Sequence, residues 1–180
     1  MLLRGFPPVA RRDARVLILG SMPSEASLAQ DFYYAHPANA FWWLLAGVLD
    51  CAVPIDVAAK RRLLIGHRIA LWDVVHRCRR RGSLDAAIER GSVRPNDFAA
   101  FLARHRRIAC VAFNGGTAEA LFRRHVLPRL AAALPGRRLR LLRLPSTSPA
   151  HAGLPPARKC AAWRRALRAA LARTRDGASA

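Results

Sequence analysis

Short apolar runs alternate along this chain with longer segments of helical periodicity, and this alternation limits the fold more than any other feature. The runs are rich in Val, Ile and Leu, which favour strands, and they lie at residues 15–19, 69–75, 108–113 and 138–144. Strands that alternate with helices predict an α/β fold, here a three-layer α/β/α domain with a central four-stranded parallel sheet. Right-handed crossovers reduce the possible topologies but leave the strand order open.

The predicted helices begin at residues that can cap them. Asn39 precedes a helix over residues 41–49, and Asp56 precedes a helix that ends at Gly66. A helix over residues 83–90 is opened by Ser83 and closed by Gly91, and a helix over residues 96–105 is opened by Asn96. The last two predicted helices cover residues 116–134, interrupted or bent before Pro128, and residues 155–173.

The length of the chain fits one domain. Its 180 residues can bury a full core, and the hydrophobic share of 52% leaves disorder expected only in a frayed tail at residues 174–180. In the last predicted helix, an apolar stripe with spacings of three and four supplies core side chains, namely Cys160, Trp163, Leu167 and Leu171. We therefore treat residues 1–180 as a single domain.

The net charge of +20 indicates a polyanionic partner. Basic side chains that meet phosphates release counterions, so DNA or RNA is the favoured partner and a membrane surface the minor alternative. No apolar run approaches the roughly 20 residues that span a bilayer, and no signal peptide is evident at residues 1–10. We expect a cytoplasmic protein of bacterial type, associated with the nucleoid and not with a membrane.

Several reaction classes lack their motifs. The four cysteines, Cys51, Cys78, Cys110 and Cys160, form no C-x-x-C pair, so we expect no metal, iron–sulfur cluster or other cofactor. The carboxylates are dispersed, which argues against an ordinary glycoside hydrolase, and the glycines match neither a P-loop nor a dinucleotide-binding fingerprint. Asp73 ends the second predicted strand and could reach the same edge of the sheet, but a helix cap or an arginine partner is its expected role.

Three loops follow predicted strands one, three and four, at residues 21–39, 114–117 and 145–153. In a parallel sheet all three open on one edge, which predicts a single binding site there. The first loop carries two tyrosines, a histidine and an asparagine, which offer stacking faces and hydrogen-bonding groups for a planar heterocycle. Taken singly, each loop has a structural explanation: a cap at Asn39, a strand-to-helix turn, and a rigid Pro-Ser-Thr-Ser-Pro turn.

The same loops carry a family resemblance. Residues 20–24 read GSMPS, residues 33–42 YYAHPANAFW, residues 113–118 FNGGTA and residues 144–150 LPSTSPA. These motifs resemble the uracil-DNA glycosylase superfamily, and within it the hypoxanthine-DNA glycosylase branch (family 6, the DNA-deoxyinosine glycosylases). The resemblance implies a uracil-DNA glycosylase-like fold with strand order 2-1-3-4. It also implies a substrate of single- or double-stranded DNA that contains deaminated bases, acted on by a monomer.

The predicted site residues form three groups. We predict Asn39 and Asn114 as catalytic, Gly20, Ser21, Met22, Tyr34 and His36 as base-binding, and Ser146, Thr147, Ser148, Pro149, Ala150 and His151 as DNA-binding. Within the resemblance, Asn39 positions water or the departing base, and Tyr34 takes the place of an aromatic side chain that stacks on the flipped base. A purely helix-capping Asn39 remains the alternative.

The sequence departs from the wider superfamily at three positions. Met22 stands where GINPG enzymes carry a catalytic asparagine, and Ser146 stands where uracil-specific relatives carry a histidine. Ala150 takes the place of an intercalating leucine and is too small to fill the space left by an extruded base. His151 or Leu154 could serve as the wedge instead.

The function predicted from these observations is excision of hypoxanthine from DNA by hydrolysis of the N-glycosidic bond, in base excision repair. Lysine is absent from the three loops, so we expect a monofunctional glycosylase without Schiff-base lyase chemistry. The first alternative is a glycosylase for uracil or for a broader set of deaminated bases. The second is a non-catalytic nucleic-acid-binding domain.

Overall fold

The computed structural model describes residues 1–151 and 153–172, so the tail predicted to fray lies outside the described residues. Seven strands run through this part of the chain: β1 (Leu2–Arg4), β2 (Val16–Gly20), β3 (Ile69–Asp73), β4 (Val75–Arg79), β5 (Arg94–Pro95), β6 (Cys110–Asn114) and β7 (Arg140–Leu144). Seven α-helices accompany them there: α1 (Glu25–Ala29), α2 (Phe41–Leu49), α3 (Val57–Gly66), α4 (Phe98–Arg104), α5 (Gly116–His125), α6 (Leu127–Ala133) and α7 (Pro156–Ala172).

The central sheet is parallel and has the order β3-β2-β6-β7. Counted along the chain, these are its second, first, third and fourth strands, so the predicted order 2-1-3-4 is confirmed. Every residue of β2 and β3 is buried, which explains their aliphatic composition. Gly20 pairs in register with Asp73 at the end of β3, and Asn114 ends β6 opposite Leu144. The strand register therefore brings Gly20, Asp73 and Asn114 to one edge of the sheet.

Helices flank this sheet and close its core. Helix α2 packs against α7, and α7 also contacts β7. Trp163 and Leu167 of the predicted stripe are fully buried, and the indole of Trp163 meets the ring of Phe41 edge-on at 5.8 Å. In the described residues, no helix is both long enough and apolar enough to cross a membrane.

The second predicted strand is wrong in its extent. The chain leaves the central sheet at Val74, and β4 joins a separate antiparallel sheet of order β1-β4-β5. Backbone hydrogen bonds make this turn: the N–H of Val74 donates to the carbonyl of Gly20 at 2.9 Å, and the N–H of Val75 donates to that of Ser21 at 3.0 Å. A continuous apolar run carries no mark of the point where a strand changes partner, because both strands bury their side chains.

The helix predicted over residues 83–90 is also wrong. The segment forms two short 3₁₀ turns, Asp85–Ala87 and Arg90–Ser92. Ser83, predicted as a cap, instead accepts a hydrogen bond at its Oγ from the N–H of Glu25 at 3.0 Å. Asp85 likewise accepts from the hydroxyl of Ser21 at 2.6 Å. Polar side chains that would open a helix are thus used in contacts across the fold.

The other predicted helices are placed within a few residues. Helix α2 has the predicted bounds, and Asp56 caps α3 by accepting from the N–H of Ala59 at 2.6 Å. Helix α4 is capped by Asp97 and not by Asn96, because the Asn96 amide donates to the backbone carbonyl of Asp73 at 2.8 Å. The predicted bend before Pro128 separates α5 from α6.

Candidate active site

A cavity of about 500 Å³ opens at the carboxyl ends of the central strands. The sequence-predicted residues in its wall are Gly20, Ser21, Met22, Tyr34, Asn39, Asn114, Ser146, Thr147, Ser148, Ala150 and His151. The three loops thus converge, as an edge of parallel strands requires. His36 and Pro149 are the two predicted site residues that lie outside this wall.

Thr147 joins the two candidate catalytic asparagines. Asn114 accepts at Oδ1 from the N–H of Thr147 and donates from Nδ2 to the Thr147 hydroxyl, both at 2.9 Å. That hydroxyl donates in turn to Oδ1 of Asn39 at 2.8 Å. Thr147 is only 1% exposed, so its side chain has no surface for the DNA contact that we predicted. Thr147 therefore joins the side-chain amides of Asn39 and Asn114 and holds both in place.

Asn39 serves the helix and the cavity together. The residue at the helix N-cap position is Ala40, which makes no side-chain capping bond, while Oδ1 of Asn39 accepts from the N–H of Phe41 at 3.0 Å. Two donors therefore occupy the amide oxygen. The amide nitrogen makes no hydrogen bond to any residue in the described part of the chain, which leaves its N–H groups available to a molecule in the cavity.

Tyr34 presents an aromatic ring that is supported from behind. The ring lies against Phe41 with centroids 3.9 Å apart and planes at 15°. The backbone of Tyr34 has a φ of +52°, an uncommon conformation for a residue with a side chain. Phe41 is fully buried and covers one face of the Tyr34 ring. A planar ligand on the other face of Tyr34 would therefore form a stack of three rings. Tyr33 differs from Tyr34, because its hydroxyl donates to the carbonyl of Pro7 at 3.0 Å within the core.

Two glycines are required at the cavity wall. Gly115 has a φ of +100°, and a Cβ there would lie 3.1 Å from Cβ of Ser146. At Gly20, a Cβ would lie 2.8 Å from the hydroxyl oxygen of Tyr34 and closer still to Oδ1 of Asp73. The missing side chains allow the first and third loops, and the end of β3, to approach these turns closely.

Asp73 and Asp85 also line the cavity, and the sequence did not assign either to the site. Burial, reinforced by the nearby Asp85 carboxylate, raises the pKa of Asp73 to about 8. Burial also raises the pKa of Asp85, while hydrogen bonds from Ser21 and Thr117 and the charge of Arg80 oppose that rise. The end of β3 was the only available signal for Asp73, and Asp85 lay inside the segment wrongly predicted as a helix.

The third loop is braced by its own hydroxyls. Ser146 Oγ accepts from the N–H of Ser148 at 3.2 Å, and Ser148 Oγ accepts from the N–H of Ala150 at 3.3 Å. Ala150 and His151 are exposed at the rim, and the carbonyl of His151 accepts from Lys159 at 2.7 Å. The loop therefore presents a fixed backbone to the cavity mouth.

His36 has a local structural role. It is exposed, and its Nδ1 accepts from the N–H of Ala38 at 3.1 Å, while its carbonyl accepts from the N–H of Asn39 at 2.9 Å. These bonds shape the loop that carries Asn39. The arrangement gives the base contact predicted for His36 no support.

The basic residues divide into structural and exposed groups. Arg80 is 2% exposed, and its guanidinium donates to the carbonyls of Gly82 and Pro23 at 2.8 and 2.5 Å. In α7, Arg164 and Arg168 pair with Asp50 and bind carbonyls at the end of α2. Arg77, Arg79 and Arg81 are exposed beside the buried Arg80.

In the described ranges, no group of three or more His, Cys, Asp or Glu side chains is placed to hold a metal ion. The four cysteines are free thiols, of which Cys78 and Cys110 are buried.

Comparisons with known proteins identify similar sequences and a similar structure. The family model described as the uracil DNA glycosylase superfamily matches residues 7–171. A hypoxanthine DNA glycosylase of Methanosarcina acetivorans is 37% identical over 117 residues, which cover 64% of this chain and 72% of that protein. A hypoxanthine DNA glycosylase of Methanosarcina barkeri is 34% identical over 116 residues, with the same coverage of both proteins. The solution structure of a candidate uracil DNA glycosylase from Methanosarcina acetivorans superposes with a TM-score of 0.72 at 30% identity, over 92% of this chain and 98% of that one.

Proposed function

The chain belongs to the uracil DNA glycosylase superfamily, and we propose that it is a monofunctional DNA glycosylase that excises hypoxanthine from deoxyinosine-containing DNA. The observation that carries this proposal is the pair of asparagines, Asn39 and Asn114, joined by Thr147 in the wall of a cavity that also presents the ring of Tyr34. Two relatives, each matched over 72% of its own length, are hypoxanthine DNA glycosylases.

The chemistry needs few protein groups. The bond between the base nitrogen and C1′ breaks with cationic character in the sugar, water adds its oxygen to C1′, and the water proton and the bond electrons leave with the base. An enzyme for this reaction must hold the base outside the duplex, stabilise its departure and place the water. Neutral amides can perform the last two tasks without a strong base.

Each candidate residue has a role that fits its contacts. The ring of Tyr34, supported by Phe41, stacks on the extruded base. The free amide nitrogen of Asn39 donates to the departing base or to the attacking water, while its oxygen is held by Phe41 and Thr147. Asn114 holds Thr147 from the other side and thereby positions Asn39. We expect the protein to act as a monomer, on duplex or single-stranded DNA.

Excision of uracil is the second candidate function, since one solved structure that resembles this chain is of a candidate uracil DNA glycosylase. A non-catalytic binding domain is disfavoured, because it has no need for polar groups buried and fixed beside a cavity. The nucleoid location stays a prediction of the sequence.

A cleavage panel tests the proposal. Duplex and single-stranded oligonucleotides that carry deoxyinosine, deoxyuridine, deoxyxanthosine or ethenodeoxyadenosine are incubated with the enzyme, and abasic sites are then cleaved with alkali. We expect scission at deoxyinosine, only after alkali, and about 100-fold slower excision by the Asn39→Ala variant. Scission at deoxyuridine alone would replace hypoxanthine by uracil as the substrate, and no scission on any substrate would refute the glycosylase assignment.

A further inference from the structure

Asp73 lies in the cavity wall, and one oxygen of its carboxyl group has no hydrogen-bond partner in the described part of the chain. The residue is 3% exposed, and its Oδ2 is buried without a hydrogen bond to any described residue. The hydroxyl oxygen of Tyr34 is also buried, lies near the Asn114 amide, and sits with the Asp73 carboxyl group over Gly20. The Asn96 amide binds only the backbone carbonyl of Asp73. Buried polar atoms of folded proteins nearly always have partners, so the Asp73 carboxyl group is suited to a ligand in the cavity.

The groups around Asp73 favour its neutral form. Asp85 faces it from the loop after β4 and accepts from the Ser21 hydroxyl at 2.6 Å, which stabilises the charge of Asp85. No described residue donates to Oδ2 of Asp73, and the charge of Asp85 opposes a second negative charge nearby. Arg80 acts in the opposite direction, and Tyr33 and Tyr34 are neutral because burial raises the pKa of each phenol. Burial and the Asp85 charge together raise the pKa of Asp73 to about 8.

We propose that Asp73, as a neutral carboxylic acid, binds the –NH–CO– edge of the extruded base, with its O–H donating to the exocyclic oxygen and its carbonyl accepting from the ring N–H. In hypoxanthine these partners are O6 and N1–H. The inference rests on the proposed glycosylase function and assigns a base-reading residue to it. An ionised carboxylate would repel O6, so the protonated form is the one that fits this edge.

The test compares two substitutions at one position. Asp73→Asn keeps a donor and an acceptor in the same shape but cannot titrate, whereas Asp73→Ala removes both. Single-turnover excision of hypoxanthine is measured from pH 6 to pH 10, with thermal unfolding as a check on folding. We expect Asp73→Ala to lose about 100-fold in rate and Asp73→Asn to stay within about tenfold of the wild type, as the loss or retention of two hydrogen bonds predicts.

The pH profiles decide the protonation state. We expect the wild-type rate to fall above about pH 8 and the Asp73→Asn rate to fall less, since both share any titration of the substrate. In Asp85→Asn the excision rate should begin to fall at a lower pH than in the wild type. The substitution removes the negative charge that helps to keep Asp73 protonated. An Asp73→Asn enzyme as inactive as Asp73→Ala, or with the wild-type pH profile, would overturn the proposal. If the wild type excises no base, the proposed function itself fails.

Substrate analogues give an independent readout. Deoxynebularine lacks both O6 and the N1 proton, whereas N1-methyldeoxyinosine keeps O6 and lacks only the N1 proton. We expect both analogues to be excised more slowly than deoxyinosine by the wild type, and the difference to shrink in Asp73→Ala. An undiminished difference in Asp73→Ala would place the recognition of this edge on another residue.

Leu84 carries a second, independent inference. It is 60% exposed at the cavity wall, although it is a large apolar side chain. Its neighbours are fixed, because Ser83 accepts from the N–H of Glu25 and Asp85 accepts from Ser21. Leu154, a wedge candidate from the sequence, is half-buried and outside the wall. We infer that Leu84 is the wedge that enters the base stack when the nucleotide leaves it.

A wedge residue is needed in duplex DNA, where it fills the space that the extruded base leaves in the base stack, and is not needed in single-stranded DNA. Leu84→Ala should therefore slow excision from duplex DNA by about tenfold and leave excision from single-stranded DNA within about twofold. Leu2→Ala is a matched control, since Leu2 is 61% exposed and lies outside the cavity wall. Equal effects of Leu84→Ala on both substrates, or a duplex-specific loss in His151→Ala and none in Leu84→Ala, would overturn the inference.

Discussion

Replacing Asn39 by aspartate separates the two ends of its amide. The amide oxygen accepts from the N–H of Phe41 at 3.0 Å and from the hydroxyl of Thr147 at 2.8 Å, and aspartate keeps an oxygen in that place. Only the amide nitrogen, which has no partner among the described residues, is lost. If that nitrogen acts in the transition state, Asn39→Asp should be folded but slower by about 100-fold or more, as the loss of one preorganised donor predicts.

Asn39→Ala supplies the contrast, because it also removes the oxygen. Two lost hydrogen bonds at about 1 kcal/mol each lower the free energy of unfolding by about 2 kcal/mol. For a domain of 180 residues this corresponds to a Tm lower by about 4–8 °C. Asn39→Asp should stay within about 2 °C of the wild type, because the helix start and the contact with Thr147 are kept.

The assay is single-turnover excision of hypoxanthine at saturating enzyme, together with thermal unfolding of each variant. Both variants should be slow, and only the alanine variant should be less stable. An Asn39→Asp enzyme with a near-normal excision rate would refute the role of the amide nitrogen. It would leave Asn39 as a residue that orders the start of α2 and would transfer the catalytic assignment to Asn114.

Three further outcomes are expected. Folding raises the pKa of Asp73 from its ordinary value to about 8, so its contribution to stability is fully present below pH 4. That contribution is lost as the pH rises to about 8, by up to about 6 kcal/mol. Urea unfolding should therefore show Asp73→Asn gaining stability over the wild type across that range, and a constant difference would contradict this. Gly115→Ala should lower the Tm more than Gly82→Ala, since both glycines have positive φ but only Gly115 also approaches Ser146; equal losses would contradict this. Affinity for duplex DNA should fall linearly with salt concentration on a log–log plot, whereas a flat response would remove the support that the net charge of +20 gives to a DNA partner.

The elements that the sequence predicted well are those specified by neighbouring residues. Strand β2 is an aliphatic run, and the bounds of α2 and the cap at Asp56 follow from residues a few positions apart. The family motifs likewise placed Asn39, Asn114 and Tyr34 at one cavity, because loops after parallel strands open on a common edge.

The errors share a different cause. Ser83 and Asp85 were interpreted as part of a helix, yet their side chains bind Glu25 and Ser21, which lie far away in the sequence. Thr147 was interpreted as a DNA contact, and its burial between two asparagines depends on three loops at once. A local sequence pattern cannot predict such contacts, because the two partners are far apart in the sequence.

The sequence by itself determined the α/β class, the loops that form the cavity and the superfamily, since periodicity and contiguous motifs are properties of short segments. The tertiary structure alone decided which polar atoms have partners. Phe41 and Thr147 donate to the amide oxygen of Asn39, and Ser21 donates to Asp85. Among residues 1–151 and 153–172, the Asn39 amide nitrogen and Oδ2 of Asp73 have no hydrogen-bond partner. The physical reason is that burial, hydrogen bonding and pKa depend on neighbours in space, and the fold brings those neighbours together from distant parts of the chain.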